Sequence, residues 1–199
     1  MALKVLGVGG SMREGSYSTR AVRLCLESAR GRGAEARLLE LRMAGLPMFR
    51  PDGDADADAA AREVGGLVRW ADAFVLGSPD YHGSMSGAIK NFLDFHWEEF
   101  AGKLFGYVCA SHEKGLTVME QMRTAVRQCY GWSLPYGVSV HGEQDFDDSG
   151  AVLNPRLRER LGMLARDVMV YGALLREQFV RDLDGRERDT FAARYADLG

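Results

Sequence analysis

The chain has 199 residues, 46% of them hydrophobic and 27% charged, which is enough for one domain with a full core. Its net charge of −3 supplies no positive field for nucleic acid. No apolar run reaches membrane-spanning length, the N-terminus lacks a charged-then-apolar leader, and the three cysteines (Cys25, Cys109, Cys129) form no C-x-x-C pair. A soluble cytoplasmic protein without disulfides or a zinc site is therefore expected, with Cys25 and Cys109 as buried thiols.

A short apolar run, Leu3 to Val8, stops at Gly9 and Gly10 and is followed by Ser11-Met12-Arg13-Glu14-Gly15-Ser16-Tyr17-Ser18-Thr19. A helical pattern then runs to Arg30. A buried strand feeding a polar turn at a helix N-terminus offers free amides and a positive dipole end to a phosphate. Ser11, Ser16, Ser18 and Thr19 add hydroxyl donors, and Arg13 adds a charged fork. Two nucleotide patterns fail here. Gly10 and Gly15 have the spacing of a Walker A loop, but Ser16 stands where its lysine belongs. Gly7 and Gly9 would open G-x-G-x-x-G, but Met12 takes the last position, where helix and backbone must approach closely. The remaining readings are a cradle for one terminal phosphate, as in a mononucleotide, or an ordinary strand–turn–helix junction with serine caps.

Gly31 and Gly33 end the helix, and residues 34–41 read as a second strand, giving a βαβ unit with a right-handed crossover. Residues 42–62 are irregular. Within them Asp52, Asp54, Asp56, Asp58 and Glu63 mimic the spacing of a calcium loop, but Ala57 replaces the required glycine and prolines stand where the entering helix should be. This stretch reads instead as an acidic lead into a helix over Asp58 to Trp70. Ala73 to Gly77 is continuous and apolar, as in a central parallel strand, and ends in Ser78-Pro79-Asp80-Tyr81-His82-Gly83-Ser84. Met85, Ala88, Ile89, Phe92 and Leu93 mark the next helix. Trp97 and Phe100 after it are candidates for an interface or for the core. Lys103 to Ala110 is a fourth strand, ending in Ser111-His112-Glu113-Lys114-Gly115. A helix through Val118, Met122, Ala125 and Val126, a fifth strand over Tyr136 to His141, an acidic loop and a helix opened by Pro155 complete the chain. Alternating strands and helices define a doubly wound, parallel α/β domain over residues 1–199. Ligands bind such sheets at the carboxyl ends of the strands, which selects the loops after residues 9, 77 and 110. Ser86 is not in a G-x-S-x-G elbow, and no Ser–His–Asp arrangement supports a hydrolase.

Three segments make the chain similar to the NADPH-dependent FMN reductases, a flavodoxin-like group that includes azo-, quinone- and chromate-reducing enzymes. Gly10 to Ser18 follows G-S-x-R-x-x-S-x-[NS]; Pro79 to Asn91 follows P-[ED]-Y-x-x-x-x-x-G-x-[LI]-K-N; the third is the Ser111–Gly115 loop with its helix. The resemblance implies a five-stranded sheet of order 2-1-3-4-5 with helices on both faces. It implies FMN as cofactor, NADPH or NADH as donor, and a small-molecule electron acceptor. Ser11, Arg13, Ser16, Ser18 and Thr19 would surround the phosphate. Pro79, Asp80, Tyr81, His82 and Gly83 would line the ribityl chain and one edge of the ring, and Ser111, His112 and Gly115 the other edge. A homodimer or homotetramer follows from the same resemblance. The flavin is the redox group, so no protein side chain is named as catalytic, and no metal is expected. The third loop departs from the family in carrying His112-Glu113-Lys114, and Glu113 is expected to point outward. An electron carrier without pyridine-nucleotide activity and a non-enzymatic mononucleotide-binding domain stay open as alternatives; a net charge of −3 is mild for such a carrier.

Overall fold

The computed structural model describes residues 2–54 and 57–195. Strand β1 (Lys4–Gly9) is an inner strand, paired in parallel with β2 (Glu35–Glu40) on one side and with the central β3 (Ala73–Pro79) on the other. Strand β4 (Leu104–Ala110) follows β3, again in parallel. The outer position is shared by two short segments, β5 (Trp132–Ser133) beside Leu104 and Phe105, and β6 (Val138–Val140) beside Val108 to Ala110. The order β2-β1-β3-β4-β5 is that of the flavodoxin-like fold expected from the sequence. One strand was expected over Tyr136 to His141; the edge is split instead. Pro135 lies between the two pieces and has no N–H to give the ladder.

The sheet is buried on both faces because alternate residues point to opposite sides. Val5, Val75 and Val108 face α1 (Tyr17–Arg30) and the 30-residue α6 (Pro155–Asp184), whose Leu161, Leu164 and Val168 complete that layer. Leu6, Val8, Phe74, Leu76, Phe105 and Tyr107 face the other way. They meet α3 (Ala59–Trp70), α4 (Gly87–Asp94) and α5 (Leu116–Gln128). Phe74 and Phe105 stack at 4.5 Å between ring centres, with Phe100 edge-on, so Phe100 belongs to the core. Trp97 is exposed. Cys25 and Cys109 are buried, as their apolar surroundings suggested.

Two short helices were not legible in the sequence: α2 (Leu41–Ala44), directly after β2, and α7 (Phe191–Tyr195), whose Tyr195 stacks on Tyr130. Of the acidic run, Asp58 accepts a hydrogen bond from the Ala61 amide and caps α3, while Asp56 lies outside the described residues. No helix among the described residues is long and apolar enough to cross a membrane.

Ser86 ties the layers together at the edge where the site lies. Its hydroxyl donates to the Gly10 carbonyl at 2.5 Å and accepts from the Ile89 amide, capping α4; its own amide donates to Ser78 Oγ. Ser86→Ala strips a cap and leaves the buried Gly10 carbonyl without this donor. The expected loss is about 1–3 kcal/mol, read as a lower urea midpoint at unchanged slope. An unchanged midpoint would show that the bond contributes nothing net.

Candidate functional site

The carboxyl ends of β1, β3, β4 and β6 open onto one cavity of about 450 Å³. Its walls are Ser11, Arg13, Ser16 and Tyr17 from the first loop, Pro79, Asp80 and Tyr81 from the second, and Ala110, Ser111 and His112 from the third. His141, Gly142, Glu143 and Gln144 form a fourth wall.

The first loop is laid down by close packing. The Gly10 amide donates to the Gly77 carbonyl at 2.8 Å, and a Cβ on Gly10 would lie 2.0 Å from Ile89 Cγ1. Only glycine lets the chain cross so near α4 before it turns. Ser11 Oγ accepts from the Arg13 amide at 3.1 Å and shapes the turn. The N-terminus of α1 then arrives open. Asp58, Ser86 and Asn154 cap α3, α4 and α6 with their side chains, whereas Ser16 makes no such bond to α1. The amides of Tyr17, Ser18 and Thr19 find no acceptor among the described residues. Three uncapped amides, a dipole end, the Ser11 and Ser16 hydroxyls and the Arg13 guanidinium fit an anionic phosphate. Ser18 and Thr19 stand one layer deeper: Ser18 is buried with its hydroxyl 3.0 Å from Ser16 Oγ, and Thr19 packs where a Cβ on Gly9 would fall.

The second loop is a tight reversal with Tyr81 and Ser84 bridged across it. His82 and Gly83 form its tip, both at positive φ (57° and 75°), and do not line the cavity. Asp80 builds the turn: Oδ1 accepts from the Gly83 amide at 2.8 Å, and Oδ2 accepts from Ser111 Oγ at 2.8 Å. Oδ1 thus closes the second loop on itself, and Oδ2 locks it to the third. Gln121 of α5 holds the far side, its Oε1 accepting from Ser84 Oγ and from the Met85 amide. The third loop ends at Gly115, which opens α5 at φ 61° and lies against Cys109 beneath the cavity floor rather than in it. Burial, with Asp80 nearby, pushes the Cys109 thiol up to about 12, so it stays protonated and takes no nucleophilic part at neutral pH. Glu113 is exposed and lies off the cavity wall.

The sequence reading did not include the fourth wall. Asp145, 2% exposed, organises it: Oδ2 accepts from the His141 amide at 2.7 Å and Oδ1 from Asn154 Nδ2 at 2.7 Å. Tyr17 stacks on Phe146 with ring centres 5.9 Å apart, and Gly142 lies against the Tyr17 ring. The available signal was positional, since this loop also follows a parallel strand at its carboxyl end. Asp145→Ala leaves two donors unpaired. The expected cost is about 2–3 kcal/mol, with faster amide exchange across residues 141–146. Unchanged exchange there would show that Asp145 does not hold the wall.

A parallel sheet of this order, with an open helix N-terminus and a hydroxyl-rich loop at its carboxyl edge, defines a flavodoxin-like protein of the mononucleotide-binding class. Residues 3–145 match the NADPH-dependent FMN reductase family, and the chain belongs to that family. Its cofactor is FMN and its electron donor NAD(P)H. It is 30% identical over 172 residues to an NAD(P)H-dependent FMN reductase of Pseudomonas aeruginosa, covering 79% of this chain and 88% of that one. It is 30% identical over 111 residues to an NADPH azoreductase of a Bacillus species, covering 54% and 62%. In fold it is similar to the flavoenzyme FerB, an NAD(P)H:acceptor oxidoreductase of Paracoccus denitrificans, with a TM-score of 0.73, 18% identity, and coverage of 87% and 98%.

Proposed function

We propose that the chain, acting as one unit over residues 1–199, oxidises NAD(P)H at a bound FMN and reduces a second small molecule in ping-pong order. The acceptor is a quinone, an azo compound, a metal ion or free flavin. FMN, when bound, supplies hydride acceptance from NAD(P)H and electron delivery to the acceptor. The chain's own part is binding and orientation. Ser11, Arg13, Ser16 and the open α1 amides hold the phosphate, with Ser18 and Thr19 supporting them from below. Pro79, Asp80 and Tyr81, shaped by the His82–Gly83 tip, hold one side of the cofactor; Ser111 and His112, set by Gly115, hold the other. The Asp80–Ser111 bond fixes the spacing between those sides. No protein acid or base and no metal is assigned to the transfer itself. A homodimer or homotetramer in the cytoplasm is part of the same reading.

The observation that carries it is the meeting of the uncapped α1 amides, Arg13 and the Asp80–Ser111 lock around one cavity. Initial rates of NADPH oxidation at several quinone concentrations test the order. Parallel double-reciprocal lines are expected; intersecting lines would rule out ping-pong transfer. Absence of any NADPH oxidation would favour an electron carrier.

A further inference from the structure

Arg20 does not line the cavity, yet it stands at the same end of α1 as the phosphate cradle. It lies in the first turn of the helix, and helical side chains lean back toward the N-terminus. Its guanidinium therefore comes to rest beside the first loop, wedged between two glycines. A Cβ on Gly15 would fall 3.2 Å from Nη2, and one on Gly150 would fall 3.3 Å from Nη1 and Cζ. The group stands 5.6 Å over the Tyr17 ring, which itself stacks on Phe146. Nη1 donates to the Asp147 carbonyl at 3.4 Å. The first loop, the helix and the loop beyond the fourth wall together fix this half-buried charge in one place.

The chain offers that charge little in return. A guanidinium has five N–H donors, and the long bond to Asp147 uses one; the others find no acceptor among the described residues. No carboxylate among the described residues pairs with it. Asp147, the acid of the segment it touches, turns its carboxylate away onto Ser149 Oγ at 2.6 Å and the Ala151 amide at 2.8 Å. Nor does α1 gain, because a cation in the first turn opposes the helix dipole and that turn holds no acid. A held, unpaired cation beside three open amides is a cost to the empty fold that an anion at those amides removes. A phosphate monoester carries about −1.5 to −2 charges at neutral pH, more than Arg13 alone balances.

We propose that Arg20 is the second cationic residue of the phosphate subsite, a positioning residue that acts from behind the Gly15 turn while Arg13 acts from the cavity wall. The stack on Tyr17 and the bond to Asp147 hold the guanidinium; its charge serves the ligand. The consequence is selectivity for a phosphorylated flavin over the same ring system ending in a bare ribityl alcohol. This rests on the FMN reading and deepens it, since Arg20 lies outside both the loop motif and the cavity wall.

Fluorescence titrations of the flavin-stripped full chain with FMN and with riboflavin test it. Riboflavin lacks only the phosphate, so a loss confined to FMN reports on the phosphate. Arg20→Gln keeps a planar amide without the charge. It is expected to weaken FMN binding by roughly tenfold and riboflavin binding by less than about twofold. Arg20→Lys keeps a point charge without the fork and is expected to recover most of the FMN affinity. FMN binding should also fall less steeply with salt in Arg20→Gln than in the unaltered chain. Equal losses for the two flavins would overturn the proposal, because a residue that merely holds the fourth wall does not distinguish them. So would an Arg20→Lys chain that binds FMN no better than Arg20→Gln. FMN bound equally well by the unaltered and Arg20→Gln chains would defeat this proposal and leave the FMN reading standing. An unaltered chain that takes up neither flavin would defeat both.

Discussion

Gly10→Ala is expected to destabilise the chain by about 3 kcal/mol, the upper part of the usual range for overpacking. The added methyl would sit 2.0 Å from Ile89 Cγ1 and 2.7 Å from the Gly77 carbonyl oxygen. Neither neighbour can give way. Ile89 is fully buried, and Gly77 is held in β3 and bonded to the Gly10 amide. Relief must come from moving the first loop, which would also carry Ser11 and Arg13 off the cavity wall. A fall in melting temperature of roughly 6–12 °C should accompany a loss of bound FMN, given about 2–4 °C per kcal/mol at this chain length. Gly87→Ala is the matched control. Nothing lies within 4 Å of its Cβ position in the first turn of α4, so stability should hold or rise by up to about 1 kcal/mol. Equal losses in the two variants would show that close packing at Gly10 is not what matters.

Arg13→Ala separates binding from folding. The side chain is exposed on the cavity wall, and among the described residues no carboxylate pairs with its guanidinium. Its removal should leave the melting temperature of the apoprotein within a degree or two. FMN affinity should fall by about 2 kcal/mol, or roughly thirtyfold, the scale of a charge-assisted hydrogen bond. The salt dependence of binding should flatten as the charge is lost. Wild-type affinity in this variant would mean that the phosphate sits elsewhere. Arg13→Lys should recover part of the loss, since a point charge remains without the planar fork.

The parts of the fold that were legible in the sequence are those with strong local pattern. Val5 to Val8, Phe74 to Leu76 and Phe105 to Val108 are apolar runs that only a sheet covered on both faces can bury, and they appear as its centre. The edge was harder. Trp132 and Ser133 are too few to show a period, and their pairing with Leu104 and Phe105 comes from tertiary register alone. The α7 helix is held by Tyr130, some sixty residues earlier in the chain, and no local signal announces such a contact.

The site shows the same division. Ser11, Arg13, Ser16, Pro79, Asp80, Tyr81, Ser111 and His112 were selected by motif and strand-end position, and all eight line one cavity. Spacing could not separate wall from scaffold. Ser18 and Thr19 face inward because the helix turns them there, and His82, Gly83 and Gly115 sit at positive φ, where they set loop shape. Nor could spacing reveal that Asp145, among so many surface acids, is the buried one that anchors the fourth wall. Ser86 looked idle once a hydrolase was set aside; its work is to hold Gly10 and α4 together.

The central claim is that this chain binds FMN at the first loop and that NAD(P)H reduces it there. The visible absorption spectrum of the purified protein, before and after anaerobic addition of NADPH, tests it most directly. The account expects a flavin spectrum that bleaches on addition of NADPH and returns when a quinone is admitted. A flavin spectrum that NADPH leaves unchanged would contradict the reductase reading. A colourless protein that also fails to take up added FMN would contradict the site itself and leave the open α1 N-terminus without its ligand.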